Sequence, residues 1–276
     1  MTSPADAFAP CVSRLGEQQL QYRGSGHGTA TTHVLLHGIG SASASWIKQL
    51  EAVADSPALR VLAWDAPGYA GSSALPMAEP TAADYAQRLW AWLDVLGCHT
   101  PVVLVGHSLG ALMAASAAAL QPGRIARLVL LSPARGYAAA PAAERERRLT
   151  ERLDNLRQLG PTGMAQARAA AMLAPGADPA LIAQVRDTMT QINPAGYTQA
   201  THMLANGDIA TDVVRFRAAS TAPITVACGS ADAITPPKGC AAVAAQAGGA
   251  LTDLGPVGHI CALEAGAAVN TLLGLA

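Results

Sequence analysis

Short apolar runs alternate along the chain with longer segments in which alanine and leucine recur at helical spacing. The continuous apolar runs Val102–Val105 and Leu128–Leu131 are typical of strands that are buried on both faces, as in a parallel sheet covered by helices. Helical patterns such as Ala82–Leu96 and Ala111–Leu120 lie between most of the strands. The alternation predicts an α/β fold with a mostly parallel, twisted sheet flanked by helices. The predicted strands are Gln18–Tyr22, His33–Leu36, Arg60–Trp64, Val102–Val105, Arg127–Leu131, Ile224–Ala227 and Leu251–Leu254.

One interval, from Arg135 to Ala218, breaks this alternation because it carries helical patterns and no buried-strand pattern. Asp178 and Asn193 each precede a proline there, an arrangement in which the polar side chain caps a helix and the proline takes its first position. We therefore predict a helical cap of residues 135–218, inserted in a core domain of residues 1–134 and 219–276. An insertion at the carboxyl end of a strand lies over the edge where open α/β sheets bind ligands, so the cap is expected to shape the binding pocket.

The composition narrows the class of protein. The chain has 276 residues, of which 51% are hydrophobic, and its 18 Lys and Arg nearly balance its 19 Asp and Glu. Disordered chains combine low hydrophobicity with high net charge, which excludes disorder. No excess of positive charge is available for phosphate contacts, so no nucleic-acid partner is expected. The best apolar helix, Leu109–Leu120, is shorter than the ~20 residues that span a bilayer, so no membrane partner is expected either.

The cysteines and the N-terminus indicate a compartment. The five cysteines form no CxxC pair and lie at no zinc-ligand spacing, so neither a disulfide framework nor a metal site is expected. Residues Met1–Asp6 lack the basic and apolar regions of a signal peptide. These features predict a reduced, cytoplasmic protein without a metal. They leave the oligomeric state open, with a homodimer among the states considered.

The sequence Gly106-His107-Ser108-Leu109-Gly110 follows a predicted strand and precedes a predicted helix. G-x-S-x-G in this context places the serine at the tip of a strained turn, and the flanking glycines let the backbone close without clashes. The helix N-terminus directs free N–H groups and a partial positive charge at the reacting centre. We interpret Ser108 as a candidate nucleophile, the alternative being a serine that only caps the helix.

A serine hydroxyl needs a base, and the base needs a third group to orient it. Asp232 follows the predicted strand Ile224–Ala227, and His259 follows the last predicted strand. Each residue alone is also common in turns and helix caps. Because all three candidates come after strand ends on one edge of the predicted sheet, we predict a catalytic triad of Ser108, His259 and Asp232.

These motifs, together with His37-Gly38-Ile39-Gly40 and the segment Asp65–Ser72, resemble the α/β-hydrolase superfamily over nearly the whole chain. The resemblance implies the α/β-hydrolase fold with a helical cap, and an oxyanion hole formed by the backbone N–H groups of Ile39 and Leu109. It implies a hydrolase without a metal or organic cofactor. A serine at position 108 excludes the relatives that need aspartate there, the haloalkane dehalogenases and epoxide hydrolases.

The segment Asn193–Ala200, with His202 and Asp208, is similar to the last cap helix of 3-oxoadipate enol-lactonases and related small esterases. The expected activity is therefore hydrolysis of a carboxylic ester or lactone of a small molecule. Three alternatives stay open: a carbon–carbon bond hydrolase of the meta-cleavage type, an acyltransferase, and a non-catalytic ligand-binding protein on the same fold. Ile260 and the residues after it depart from the bulky Trp that meta-cleavage hydrolases usually carry there.

Four further residues are candidate substrate contacts: Trp46, Arg135, Tyr197 and His202. Each also has a structural interpretation, as a core tryptophan, a surface arginine or a cap-packing side chain. The near-zero net charge and the alanine-rich cap favour a small substrate that is uncharged or weakly anionic over a polymer.

Overall fold

A computed structural model describes residues 8–275. The segment Met1–Asp6 and the outermost ends of the predicted core domain lie outside these residues. Eight strands in the described chain form one sheet in the order β1-β2-β4-β3-β5-β6-β7-β8. The pairs β1·β2 and β2·β4 are antiparallel, and the others are parallel. The strands are β1 (Cys11–Leu15), β2 (Gln18–Ser25), β3 (His33–Leu36), β4 (Val61–Trp64), β5 (Val102–His107), β6 (Ile125–Leu131), β7 (Ile224–Cys228) and β8 (Leu251–Asp253).

The sheet alternates its side chains between two hydrophobic layers. Val34 packs in one layer and its neighbour Leu35 in the other, because successive side chains of a strand point to opposite faces. This two-sided burial explains the continuous apolar runs, and the predicted fold is confirmed. The sequence pattern missed β1, an edge strand that pairs only with β2. Its residues are mostly exposed, so it lacks the apolar run that marks the central strands.

Helices cover both faces of the sheet. Helices α2, α3, α7 and α8 pack in one layer, while α1, α9 and α10 pack on the other face. Among residues 8–275, no helix is both long enough and apolar enough to cross a bilayer. The helices are α1 (Ile47–Ala52), α2 (Ala82–Val95), α3 (Leu109–Leu120), α4 (Ala142–Arg168), α5 (Pro179–Thr190), α6 (Pro194–Asn206), α7 (Ile209–Ala219), α8 (Pro237–Gln246), α9 (Cys261–Glu264) and α10 (Gly266–Leu273).

Along the chain, α4, α5 and α6 lie between β6 and β7, and α4 packs against both α5 and α6. Both predicted helix starts are present: the Asp178 carboxylate accepts from Ala180 N–H at 2.8 Å, and Asn193 accepts from Ala195 N–H at 2.9 Å. Helix α4 is kinked at Gly160, whose φ of 60° is open to glycine without steric cost. Helix α7 packs against α3 and α8 in the sheet layer. The division into a cap of 135–218 and a core of 1–134 and 219–276 stays a prediction, although α7, which it assigns to the cap, packs against helices of the core.

Helix α6 is anchored to the loop after β4. The Gln199 side-chain amide donates to Leu75 O at 2.8 Å and to Met77 O at 2.7 Å. Backbone meets backbone beside this anchor, because a Cβ on Gly68 would lie 2.6 Å from Gly196 Cα. Two facing glycines therefore let α6 approach the core closely.

Candidate active site

Ser108 occupies a strained turn between β5 and α3. Its backbone has φ 52° and ψ −114°, a region that residues with a side chain rarely adopt. The turn is held from the sheet because Ser108 N–H donates to Leu131 O at 3.0 Å. The N–H groups of Ala111 and Ala134 both donate to Ser108 O at 3.1 Å. Because these three hydrogen bonds hold the turn, the backbone keeps the serine side chain at the carboxyl end of the sheet.

Gly106 and Gly110 of the serine motif are required for steric reasons. A Cβ on Gly106 would lie 2.6 Å from Ala111 Cα. A Cβ on Gly110 would lie 2.7 Å from His37 O. Since real Cβ atoms do not approach other atoms this closely, both positions need glycine for the strand, the turn and the helix to pack together.

His259 and Asp232 form a buried pair beside this turn. His259 Nδ1 donates to Asp232 Oδ2 at 3.0 Å, and both residues are 2% exposed. Because the carboxylate accepts, Nδ1 carries the proton and the neutral imidazole keeps a free lone pair on Nε2. Burial raises the pKa of Asp232, but its hydrogen bonds to His259 and Thr235 outweigh burial and hold that pKa well below its usual range. The aspartate is therefore ionised and fixes the tautomer of the histidine.

Further donors hold the Asp232 carboxylate. Oδ1 accepts from the N–H groups of Ile234 and Thr235, both at 2.9 Å. The Thr235 hydroxyl lies 2.8 Å from Asp232 Oδ2 and 3.2 Å from His259 Nδ1. The turn after β7 thus satisfies the charge on Asp232 and limits its rotation.

The loop that carries His259 is fastened from two sides. His107 Nε2 donates to His259 O at 2.7 Å, and the two imidazole rings lie 4.8 Å apart. From the other side, His259 N–H donates to Met172 O at 2.9 Å. Burial, and then the neighbouring His259, lower the pKa of His107 to about 3. His107 is therefore a neutral hydrogen-bond donor near pH 7.

The loop after β3 lies against the serine turn. A Cβ on Gly38 would lie 3.1 Å from Ser108 Cβ, so the two segments are in contact. His37 Nε2 accepts from Ala66 N–H at 3.0 Å, which leaves the proton on Nδ1 to donate to Gly38 O at 2.8 Å. The Tyr69 hydroxyl donates to Ile39 O at 2.9 Å. These bonds fix the peptide group that contains the Ile39 N–H and the peptide group that follows it.

A cavity of about 460 Å³ lies above these groups, within the range of roughly 300–1,000 Å³ for small-molecule sites. Ser108, His259, Ile39 and Leu109 line it from the sheet. Leu109 is the first residue of α3, a position whose N–H has no carbonyl partner within the helix. The opposite wall is largely apolar and includes Met164, Met172, Val185, Met189, Ile192 and Tyr197.

The family model of the alpha/beta hydrolase fold matches residues 34–265, which is most of the chain and contains every group described above. The chain belongs to the alpha/beta hydrolase fold family. The prediction from the sequence motifs is confirmed at this level.

Solved members of the family superpose along nearly the whole chain. The enol-lactonase from Burkholderia xenovorans LB400 has a TM-score of 0.80 and 23% identity, covering 96% of this chain and 99% of that chain. A thermophilic esterase from Thermogutta terrifontis also has a TM-score of 0.80 and 23% identity, covering 97% and 96%. At 23% identity these superpositions show a shared fold. They confirm the predicted resemblance to the enol-lactonase and esterase group.

One relative by sequence is the 2-hydroxy-6-oxononadienedioate/2-hydroxy-6-oxononatrienedioate hydrolase 2 from Pseudomonas putida. It is 33% identical over 124 residues, which cover 44% of this chain and 42% of that protein. The chain spans about half or less of the length of the curated relatives it matches.

Two of the four predicted substrate contacts line the cavity of this alpha/beta hydrolase, and two do not. Arg135 and Tyr197 line it. Trp46 is fully buried, with its ring edge-on to His107 at 6.4 Å, so the prediction that it contacts substrate is corrected to core packing. His202 does not line the cavity. Its side chain is only 14% exposed, and its Nδ1 lies 3.8 Å from the Glu79 carboxylate.

The cavity also contains residues that the sequence motifs did not single out for a role. Arg152 and Arg168 line it from α4, but on a helix dense in arginine and glutamate nothing local separates an inward arginine from an outward one. Thr235 supports Asp232, and its spacing of three residues after an aspartate is the signal of an Asx-type turn. No group of three His, Cys, Asp or Glu side chains within residues 8–275 is arranged to hold a metal ion.

Proposed function

We propose that this chain hydrolyses a carboxylic ester or lactone of a small molecule, with Ser108 as nucleophile, His259 as base and Asp232 as the orienting acid. One observation carries the proposal. A strained serine and a histidine whose Nδ1 is bound to a buried, ionised aspartate line the same cavity. The overlap in fold with an enol-lactonase and an esterase supports this class of substrate.

The proposed reaction has two steps. Ser108 Oγ attacks the carbonyl carbon while His259 Nε2 takes its proton, and the carbonyl oxygen becomes an oxyanion facing the N–H groups of Ile39 and Leu109. The C–O bond then breaks, and the His259 proton passes to the leaving alkoxide. In the second step His259 deprotonates a water that attacks the acyl-enzyme, which releases the acid and restores Ser108.

A fluorophosphonate probe tests the nucleophile. Phosphonylation of Ser108 Oγ with loss of fluoride should be visible as a mass increase in the peptide that contains Ser108. The Ser108→Ala variant should lose both the label and the turnover of an activated short-chain ester while unfolding at the wild-type temperature. Ser45→Ala is the matched control, because Ser45 lines the same cavity. Labelling or full turnover in Ser108→Ala would refute the assignment.

The base is tested by pH. Protonation of His259 removes the lone pair on Nε2, so kcat/KM for the ester should fall on the acid side. In His259→Gln this limb should be absent and the residual rate very low. A wild-type kcat/KM that does not fall on the acid side would contradict the role of His259.

Carbon–carbon bond hydrolysis is the second candidate, favoured by the Pseudomonas putida relative. Parallel assays of an activated ester and a meta-cleavage-type vinylogous diketone separate the two functions. Turnover of the ester with no turnover of the diketone supports the first proposal. Ester formation on adding an alcohol would indicate acyl transfer, and absence of any adduct at Ser108 would favour a ligand-binding protein.

A further inference from the structure

Three arginines lie among the mostly apolar residues that line the cavity. Arg135, Arg152 and Arg168 all line it. Among the described lining residues none is an aspartate or a glutamate. No carboxylate within residues 8–275 lies at salt-bridge distance from any of the three arginines. The cavity therefore offers a positive charge without its own counter-ion.

The outward face of α4 provides the contrast. Arg147 and Arg148 there both pair with Glu144, at 2.9 and 2.7 Å, and Arg157 pairs with Asp154 at 2.7 Å. The same helix thus supplies acidic partners on its exposed side and none on its cavity side. A buried or half-buried cation normally requires a partner, so the cavity-facing side of α4 suits an anionic ligand.

Arg152 is the best placed of the three arginines. Its side chain is half-buried and lines the cavity together with Tyr137 and Tyr197. Burial lowers the pKa of Arg152, but the two phenolic oxygens outweigh it and raise that pKa, so the cation is kept. By contrast, Arg135 is exposed, and Arg168 is the last residue of α4, where the free carbonyl groups of the helix end already favour a cation.

Arg152 and the two tyrosines have hydrogen-bond donors available for a ligand. A guanidinium carries five N–H donors in a planar fork, and no carboxylate of the described residues pairs with that of Arg152. Each phenol keeps its own O–H to donate. A fork of N–H groups flanked by two hydroxyls matches the two coplanar oxygens of a carboxylate.

We propose that Arg152, with Tyr137 and Tyr197, forms a carboxylate-binding subsite, so that the substrate is an ester or lactone bearing a carboxylate remote from the reacting carbonyl. The inference rests on the proposed function in one respect, namely that the molecule so held is the one cleaved at Ser108. The apolar side chains of Met164, Val185 and Met189 on the same wall would enclose the hydrocarbon between the two ends.

A matched pair of esters tests the subsite. Para-nitrophenyl valerate and mono-para-nitrophenyl glutarate have the same chain length, but only the second ends in a carboxylate. In the wild type, kcat/KM should favour the glutarate ester by about tenfold or more, since charged hydrogen bonds are the strong ones. Arg152→Met keeps the apolar stem and should lower kcat/KM for the glutarate ester about 10- to 100-fold, mainly through KM, with a change under about threefold for valerate.

Arg157→Met is the control, because Arg157 lies on the same helix but outside the cavity. It should leave the ratio of the two esters unchanged. Equal losses on both esters in Arg152→Met would indicate a structural role and overturn the subsite. A selective loss in Arg168→Met instead would overturn the assignment to Arg152.

Binding of free glutarate separates this proposal from the proposed function. Glutarate should raise the melting temperature of the wild type and of Ser108→Ala, but not that of Arg152→Met. Such a shift without ester turnover or labelling of Ser108 would leave the subsite standing and refute the hydrolase. Ester turnover with no difference between the two esters and no glutarate shift would refute the subsite alone.

Discussion

Glu264 ties the loop of His259 to the segment between α4 and α5. Its carboxylate accepts from Gly258 N–H at 2.9 Å through one oxygen and from Ala174 N–H at 2.8 Å through the other. In Glu264→Gln only one oxygen remains, and the side-chain NH₂ faces a backbone N–H. One of the two bonds is therefore lost, and its donor is left without a protein partner.

The magnitude follows from the bond that is lost. A hydrogen bond to a charged group contributes about 1.5–3 kcal/mol. Because Glu264 is only half-buried, water replaces part of the lost bond, so we expect the free energy of unfolding to fall by roughly 1.5 kcal/mol, near the lower end. If the loosened loop misplaces His259 by a comparable free energy, kcat should fall up to about tenfold.

Urea unfolding monitored by tryptophan fluorescence measures the first effect, and ester hydrolysis measures the second. Glu146→Gln is the matched control, since Glu146 is an exposed residue of α4 whose substitution should stay within about 0.5 kcal/mol of the wild type. A Glu264→Gln protein as stable and as active as this control would refute the proposed clamp. A loss of stability without a loss of kcat would show that Glu264 stabilises the fold but does not position His259.

Three further changes have defined outcomes. The unfolded chain protonates a histidine near pH 6.5, but the folded chain protonates His107 only near pH 3. Stability should therefore fall on acidification through this window by up to about 1.4 kcal/mol per pH unit, and the slope in urea titrations should be shallower in His107→Gln. Helix propensity alone predicts that Gly196→Ala stabilises α6 by up to about 1 kcal/mol, yet its Cβ would collide with the facing backbone. We expect Gly196→Ala to have a lower melting temperature and a higher KM. The control Gly123→Ala, which has open space around it, should be neutral. A stabilised Gly196→Ala protein would contradict the close approach of the two backbones. Tyr69→Phe removes the hydrogen bond to Ile39 O and should lower kcat several-fold at unchanged KM, whereas a pure KM effect would argue against positioning of this loop.

The local hydrophobic pattern of the sequence predicts strands well where the strand is buried on both faces. The strand segments Val34–Leu36 and Leu128–Leu131 are apolar throughout because helices cover both faces of the sheet, and this pattern is visible in the sequence alone. The helix starts at Asp178 and Asn193 are equally local, since the capping side chain bonds to an N–H only two residues away. The edge strand β1 was missed because an exposed strand needs no apolar run.

By itself the sequence determined the order of strands and helices, the strained serine turn and the aspartate and histidine loops that join it, because each depends on neighbouring residues and on the shared edge of a parallel sheet. Only the tertiary structure decided which side chains face the cavity. Trp46 is a core residue and His202 packs outside the cavity, whereas Arg152 lines the cavity together with Tyr137 and Tyr197. The physical reason is that each side of a helix contacts a different environment, such as the core, the cavity or solvent. Which face meets the cavity is set by long-range anchors such as the Gln199 amide on Leu75 and Met77, and no local pattern encodes that choice.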